Sequence, residues 1–164
     1  MPPPIEAAAA HGIAYRPERE DDEPFIAVLY ASTRAEEVAQ TGWPPELQSA
    51  FLQHQHQAQR SHYRSVFPEA EWLVIERGGD PIGRLYLRRD GGRNHIVDIS
   101  LVPAARGQGI GEAIMRDILA MGSPVSIHVE KFNPARHLYL RLGFEPVEDI
   151  GAYERMEWTP GAGF

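Results

Sequence analysis

The chain has 164 residues, 43% hydrophobic and 24% charged, which suits one compact domain and excludes wholesale disorder. Its formal net charge of -7 argues against general nucleic-acid binding, which needs Lys and Arg to neutralise phosphates. With no cysteine, no run of about 18 apolar residues and no basic-then-apolar leader, neither disulfides, thiol catalysis, a membrane span nor a secretory signal is expected, and a cytoplasmic location is.

Residues 1–12, proline-rich and then alanine-rich, read as a flexible N-terminal tail. The alternation over 13–17 predicts a short strand that stops at Pro17. Residues 18–23 form an acidic connector. Pro24 suits the first turn of a helix running to about Arg34, with Phe25, Val28 and Leu29 on its buried face. A second helix follows Trp43-Pro44-Pro45 and reaches Tyr63. Leu47, Ala50, Phe51, His54 and Ala58 recur there at helical spacing. His54, His56 and His62 lie on this helix without ligand spacing, so they read as a solvated face and no metal is expected.

Beyond Pro68 the pattern becomes that of strands. Residues 71–76 and 81–88 flank Gly78-Gly79-Asp80, a hairpin signature. A turn at 90–93 leads to a third strand over 95–102. A Gly-rich loop opens an amphipathic helix carrying Ile110, Ile114 and Ile118. Residues 124–130 form a strand and 133–142 a helix, with Gly143 at its C-terminal cap. Residues 144–148 and 153–158 read as a terminal hairpin, and 159–164 as a tail. The domain therefore spans 13–158. Its strand-loop-helix-strand unit at 95–129 implies a parallel pair, hence an α/β (α+β) mixed sheet with helices on both faces.

The chemistry concentrates in Leu101-Val102-Pro103-Ala104-Ala105-Arg106-Gly107-Gln108-Gly109-Ile110-Gly111. Glycines between a strand end and a helix start let an anion approach the free first-turn amides. Arg106 adds a cation. The spacing fits neither the Rossmann fingerprint nor the nucleotide P-loop.

Arg106-Gly107-Gln108-Gly109-Ile110-Gly111 resembles the Arg/Gln-x-x-Gly-x-Gly/Ala signature of the GNAT superfamily, the acyl-CoA-dependent N-acyltransferases. Asn133-Pro134-Ala135-Arg136-His137-Leu138-Tyr139-Leu140-Arg141-Leu142-Gly143-Phe144 is similar to its second signature. The resemblance implies a mostly antiparallel sheet whose central parallel pair splays, and acetyl-CoA as cosubstrate. It implies that the amides of Arg106, Gly107, Gln108, Gly109, Ile110 and Gly111 hold the pyrophosphate. Leu101 and Val102 would pair with the pantetheine arm, and Asn133 would face the cofactor. Tyr139 would be the general acid.

The family has no single fixed base. Asp98, on the strand before the loop, is the first candidate, with Glu130, His128 or a water chain as alternatives. Arg84 reads either as an exposed strand position or as a contact for an acidic acceptor group. Trp43 and residues 41–45 lie where the family's acceptor-binding loops vary, or else pack the second helix. The acceptor is a small-molecule or peptide amine, and a homodimer is compatible with the family. A CoA-binding sensor without efficient catalysis, or transfer of another acyl group, is the rival expectation.

Overall fold

The computed structural model describes residue 3 and residues 5–161. Residues 1, 2, 4 and 162–164, at the ends of the two expected tails, lie outside the described residues. Among the described residues, seven strands form one sheet in the order β1-β2-β3-β4-β5-β7-β6. They are β1 (Ile13–Pro17), β2 (Glu71–Arg77), β3 (Asp80–Asp90), β4 (Arg93–Leu101), β5 (Val125–Glu130), β6 (Glu145–Ile150) and β7 (Tyr153–Trp158). All neighbours are antiparallel except β4 and β5. The helices are α1 (Glu23–Ala39), α2 (Pro45–Val66), α3 (Ile110–Leu119) and α4 (Ala135–Arg141). None of the described helices is long and apolar enough to cross a membrane.

Alternation divides the central strands between two faces. One face carries Leu85 and Leu87 of β3, Ile96 of β4 and Ile127 of β5. It packs on Ile114, Met115 and Ile118 of α3 and on Phe144. Residues of that type, each less than 5% exposed, form a continuous apolar core. The other face is covered by α1 and α2 and is far more polar. Arg84 and Tyr86 of β3 point there, toward Gln59 and Tyr63 of α2.

That polarity reverses the expected face of α2. Leu47, Ala50, Phe51, His54 and Ala58 are exposed, whereas Leu52, His56, Gln59, Arg60 and Tyr63 turn inward. Apolar periodicity selects the more hydrophobic stripe. The sheet beneath offers partners for the polar one. Arg60 and the Tyr86 hydroxyl both bond Glu18, and His56 bonds Glu23 at 2.7 Å. His56 is thus buried rather than part of a solvated face. In α1, Ile26, Leu29 and Tyr30 are buried while Val28 is 66% exposed, and the helix continues past Arg34 to Ala39.

Within residues 5–12, expected in a flexible tail, Ala8 is buried in the core with Ile5 packed against it, while Glu6 and residues 9–12 are exposed. A 3-10 turn at Ala8–His11 is clamped by Asp117 of α3, whose carboxylate accepts the Ala7 and Ala8 amides at 2.8 and 2.9 Å. Two free backbone donors thereby satisfy an acid buried in the core. Gly83 is required by close packing of strands. A Cβ there would lie 2.2 Å from the Ser100 carbonyl.

Candidate active site

The Gly-rich loop is held from several sides. The Val102 amide donates to the Ile82 carbonyl at 2.8 Å. Arg106 Nε donates to the Leu101 carbonyl at 2.9 Å, and its terminal nitrogen reaches Ser32 Oγ of α1 at 3.2 Å. Gln108 donates to the Ala104 carbonyl and accepts from Arg77. Gly107 and Gly109 take φ of 71° and 80°, where a side chain would strain the backbone. Gly109 caps α3, so the amides of its first turn have no intrahelical partners.

Those amides open on a cavity of about 440 Å³ bounded by Leu101, Arg106, Gly107, Gly109 and Gly111. Leu138 and Arg141 of α4 form its far wall. A Cβ at Gly107 or Gly111 would meet nothing within 4 Å. The bare backbone, the helix dipole and the cavity fit a bound diphosphate. The Arg106 side chain braces the loop against α1. Gln108 and Val102 also brace it, and Ile110 contributes backbone only, its side chain being 1% exposed. Arg141 bonds Glu112 at the mouth at 2.7 Å, which holds that carboxyl below its ordinary pKa. Nothing local in the sequence marks this pair, because it forms between two helices.

Beside the loop, the central strands part. β4 and β5 pair only over Asn94–Val125, His95–Ser126 and Ile96–Ile127. The β3–β4 register shifts at the same place, Ile96 facing Leu87 and Asp98 facing Tyr86, so Val97 is an inserted bulge residue. From residue 98 onward the β4 edge toward β5 has no strand partner among the described residues. Two contacts from α1 span the opening. Ser32 meets Arg106 on the β4 side, and Arg34 meets Glu130 on the β5 side at 2.6 Å.

Tyr139 lies in the core beside Phe144, 5% exposed, with ring centroids 5.8 Å apart. No hydrogen bond to its hydroxyl is found among the described residues. Burial, reinforced by the Asp98 charge, pushes the phenol well above its ordinary pKa, so it keeps its proton at neutral pH.

Asp98 accepts from Arg84 at 2.8 Å, Ser100 Oγ at 2.6 Å and Tyr63 at 3.3 Å. Arg84 is neither an exposed strand position nor open to a ligand. It is 1% exposed, and the Asp98 charge raises its pKa although burial opposes this. Glu130 is bound to Arg34 and accepts from Tyr153 at 3.3 Å. His128, on the same face of β5, is the first residue after the strand pairing ends. Its ring has no hydrogen-bond partner among the described residues and lies 5.1 Å from that of His95. Desolvation, then the Arg155 charge, hold it below its ordinary pKa against Glu148, so it is neutral at pH 7. His95, bonded to Ser126 at 2.8 Å, is held down to about 4 by burial, then by His128 and nearby arginines.

Asn133 does not line the cavity. Its Oδ1 accepts the Ala135 amide at 2.9 Å and starts α4. Trp43 sets its edge on Phe51 at 5.3 Å, at the rim of a second cavity. This one, of about 250 Å³, lies among Tyr30, Arg34, Glu37, Val38, Phe51 and Tyr153. No cluster suited to a metal ion occurs among the described residues.

Residues 68–146 match the family model for the acetyltransferase (GNAT) domain. No curated protein sequence matches the chain. Among solved structures, the PaiA N-acetyltransferase of Thermoplasma acidophilum, in complex with coenzyme A, aligns at TM-score 0.65 and 16% identity, covering 90% of this chain and 98% of that one. A Corynebacterium glutamicum protein described as histone acetyltransferase HPA2 and related acetyltransferase aligns at 0.64 and 18%, covering 92% and 97%. Arabidopsis thaliana Naa50, with the bisubstrate analogue CoA-Ac-MVNAL, aligns at 0.57 and 13%, covering 90% and 99%. At these identities the likenesses show the fold.

Proposed function

The chain belongs to the GNAT superfamily, and from that premise we propose that it transfers an acetyl group from acetyl-CoA to a primary amine by direct attack. The observation that carries the reading is the continuity of two features. The glycine-lined cavity at the start of α3 adjoins the opening where β4 leaves β5. The first-turn amides of α3 hold the pyrophosphate, and the partnerless β4 edge takes the amide-rich arm as a strand would.

Acetyl-CoA supplies the activated acyl carbon. The amine nitrogen bonds to that carbon and the carbon–sulfur bond breaks. Tyr139 gives its proton to the departing thiolate, and the second proton that the attacking nitrogen sheds as the amide forms restores the Tyr139 hydroxyl through water. A base must first take one proton from the acceptor ammonium. Asp98, the first candidate from the sequence, already accepts three hydrogen bonds, and Glu130 is ion-paired. We assign the base to His128, which has no hydrogen-bond partner among the described residues, faces α1 and α2 from β5, and is held below its ordinary pKa by desolvation and then Arg155. No cysteine exists to carry the acyl group.

The test is release of free thiol from acetyl-CoA across a panel of primary amines. Amine-dependent release supports the reading. CoA binding without release for any amine identifies a CoA-binding module instead.

A further inference from the structure

The second cavity carries information about the acceptor. We propose, on the basis of the acetyl-transfer reading, that the acceptor is a small primary monoamine with an aromatic or branched apolar body and no carboxylate, received between α1, α2 and β7.

Three observations converge. The cavity holds about 250 Å³, below the usual span of ligand clefts, so it fits a single compact group better than a peptide. The body of a ligand would meet Tyr30, Val38, Phe51, Leu52 and Tyr153, with Gln55 as the uncharged polar group beside them. Trp43 braces Phe51 edge-on at the rim, which keeps that wall in place.

The charges complete the selection. Arg34 is the one cation among the described lining residues, and it is already engaged by Glu130 at 2.6 Å and Glu37 at 3.1 Å. Two carboxylates against one guanidinium leave the site net negative, with no free cation. An ammonium is therefore attracted, whereas a carboxylate would be desolvated without a partner. Glu130 is outside the lining but bonds two lining residues, Arg34 at 2.6 Å and Tyr153 at 3.3 Å, and it lies on β5 two residues from His128 on the same face. An amine whose body fills the cavity thus has its nitrogen directed toward the opening between β4 and β5.

The experiment compares phenethylamine with phenylalanine, which adds only a carboxylate, and with a short peptide bearing a free N-terminus. Acetyl-CoA turnover is followed by thiol release. The expected result is a kcat/KM for phenethylamine about tenfold or more above both others. Phe51→Ala should raise the phenethylamine KM about tenfold while leaving the acetyl-CoA KM unchanged. Equal or better turnover of phenylalanine or the peptide would overturn the proposal while leaving acetyl transfer intact. If no amine releases thiol, the transfer reading fails. Calorimetry of phenethylamine against phenylalanine then decides the cavity separately, since equal binding of the two, or binding unaffected by Phe51→Ala, refutes the proposal.

Discussion

Gly111→Glu isolates the electrostatic part of the proposed pyrophosphate site. Gly111 lies in the first turn of α3 with an ordinary φ, and a Cβ there meets nothing within 4 Å. Gly109 is a poorer choice, because its φ of 80° would strain any other residue. Replacing a helical glycine gains up to about 1 kcal/mol of helix propensity. An acid at a helix N-terminus adds about 0.5 kcal/mol. The variant should therefore melt no lower than the parent. The new carboxylate would stand about 5 Å from a phosphate charge, and at an effective dielectric constant of about 20 the repulsion is about 3 kcal/mol. That corresponds to a roughly hundredfold weaker CoA complex. Gly111→Gln has the same reach without the charge and separates crowding from repulsion. Calorimetric titration with CoA should show the Glu variant far weaker than the Gln variant, with the gap narrowing as salt rises. Equal affinities for the two variants would refute the placement of the pyrophosphate at this helix end.

Tyr139→Phe should lower turnover about 10- to 1000-fold, the range of general acid catalysis, with melting temperature and CoA affinity nearly unchanged. A fall in stability alone would make Tyr139 a packing residue. His128→Gln should abolish the acidic limb of the rate profile, which lies below the ordinary imidazole range because partial burial and Arg155 depress that group. Asp98→Asn should keep the limb but cost about 3 kcal/mol of stability, since it leaves the buried Arg84 charge without its partner. The reverse pattern would return the base to Asp98. Asp22, bonded twice by Arg16 at 2.7 and 2.8 Å, is held down to about 2 from the ordinary 3.8, chiefly by that hydrogen bonding. Its folded pKa is depressed, so its contribution is complete above about pH 4 and is lost as pH falls toward 2. Denaturation of Asp22→Asn at neutral pH should show a loss of about 1–2 kcal/mol, shrinking through that window; a pH-independent loss would contradict the pairing.

The sequence disclosed most where a single local rule governs. The alternation of β2, β3 and β4, the Ile110–Ile114–Ile118 stripe and Gly143 at φ 101° all follow from backbone period or sterics. The glycine turn at 106–109 and the start of α3 were legible because backbone sterics define them without tertiary context. The buried face of α2 was not legible. His56, Gln59 and Arg60 are inside only because Glu18, Glu23 and Arg84 arrive from distant elements. The N-terminal turn was hidden for a similar reason, its docking depending on Asp117 some hundred residues away. Arg84, Asp98 and Glu130 were recognisable as ionisable groups near the opening, yet only their partners in space show that they are occupied.

The most direct measurement of the central claim is a product balance. The protein would be incubated with acetyl-CoA and an accepted primary amine, and free thiol, N-acetylated amine and the intact mass of the protein would be followed together. Direct transfer predicts equal amounts of thiol and N-acetyl product, with the protein mass unchanged throughout. An acetylated protein species that forms and decays at the turnover rate, or thiol released without N-acetyl product, would contradict it.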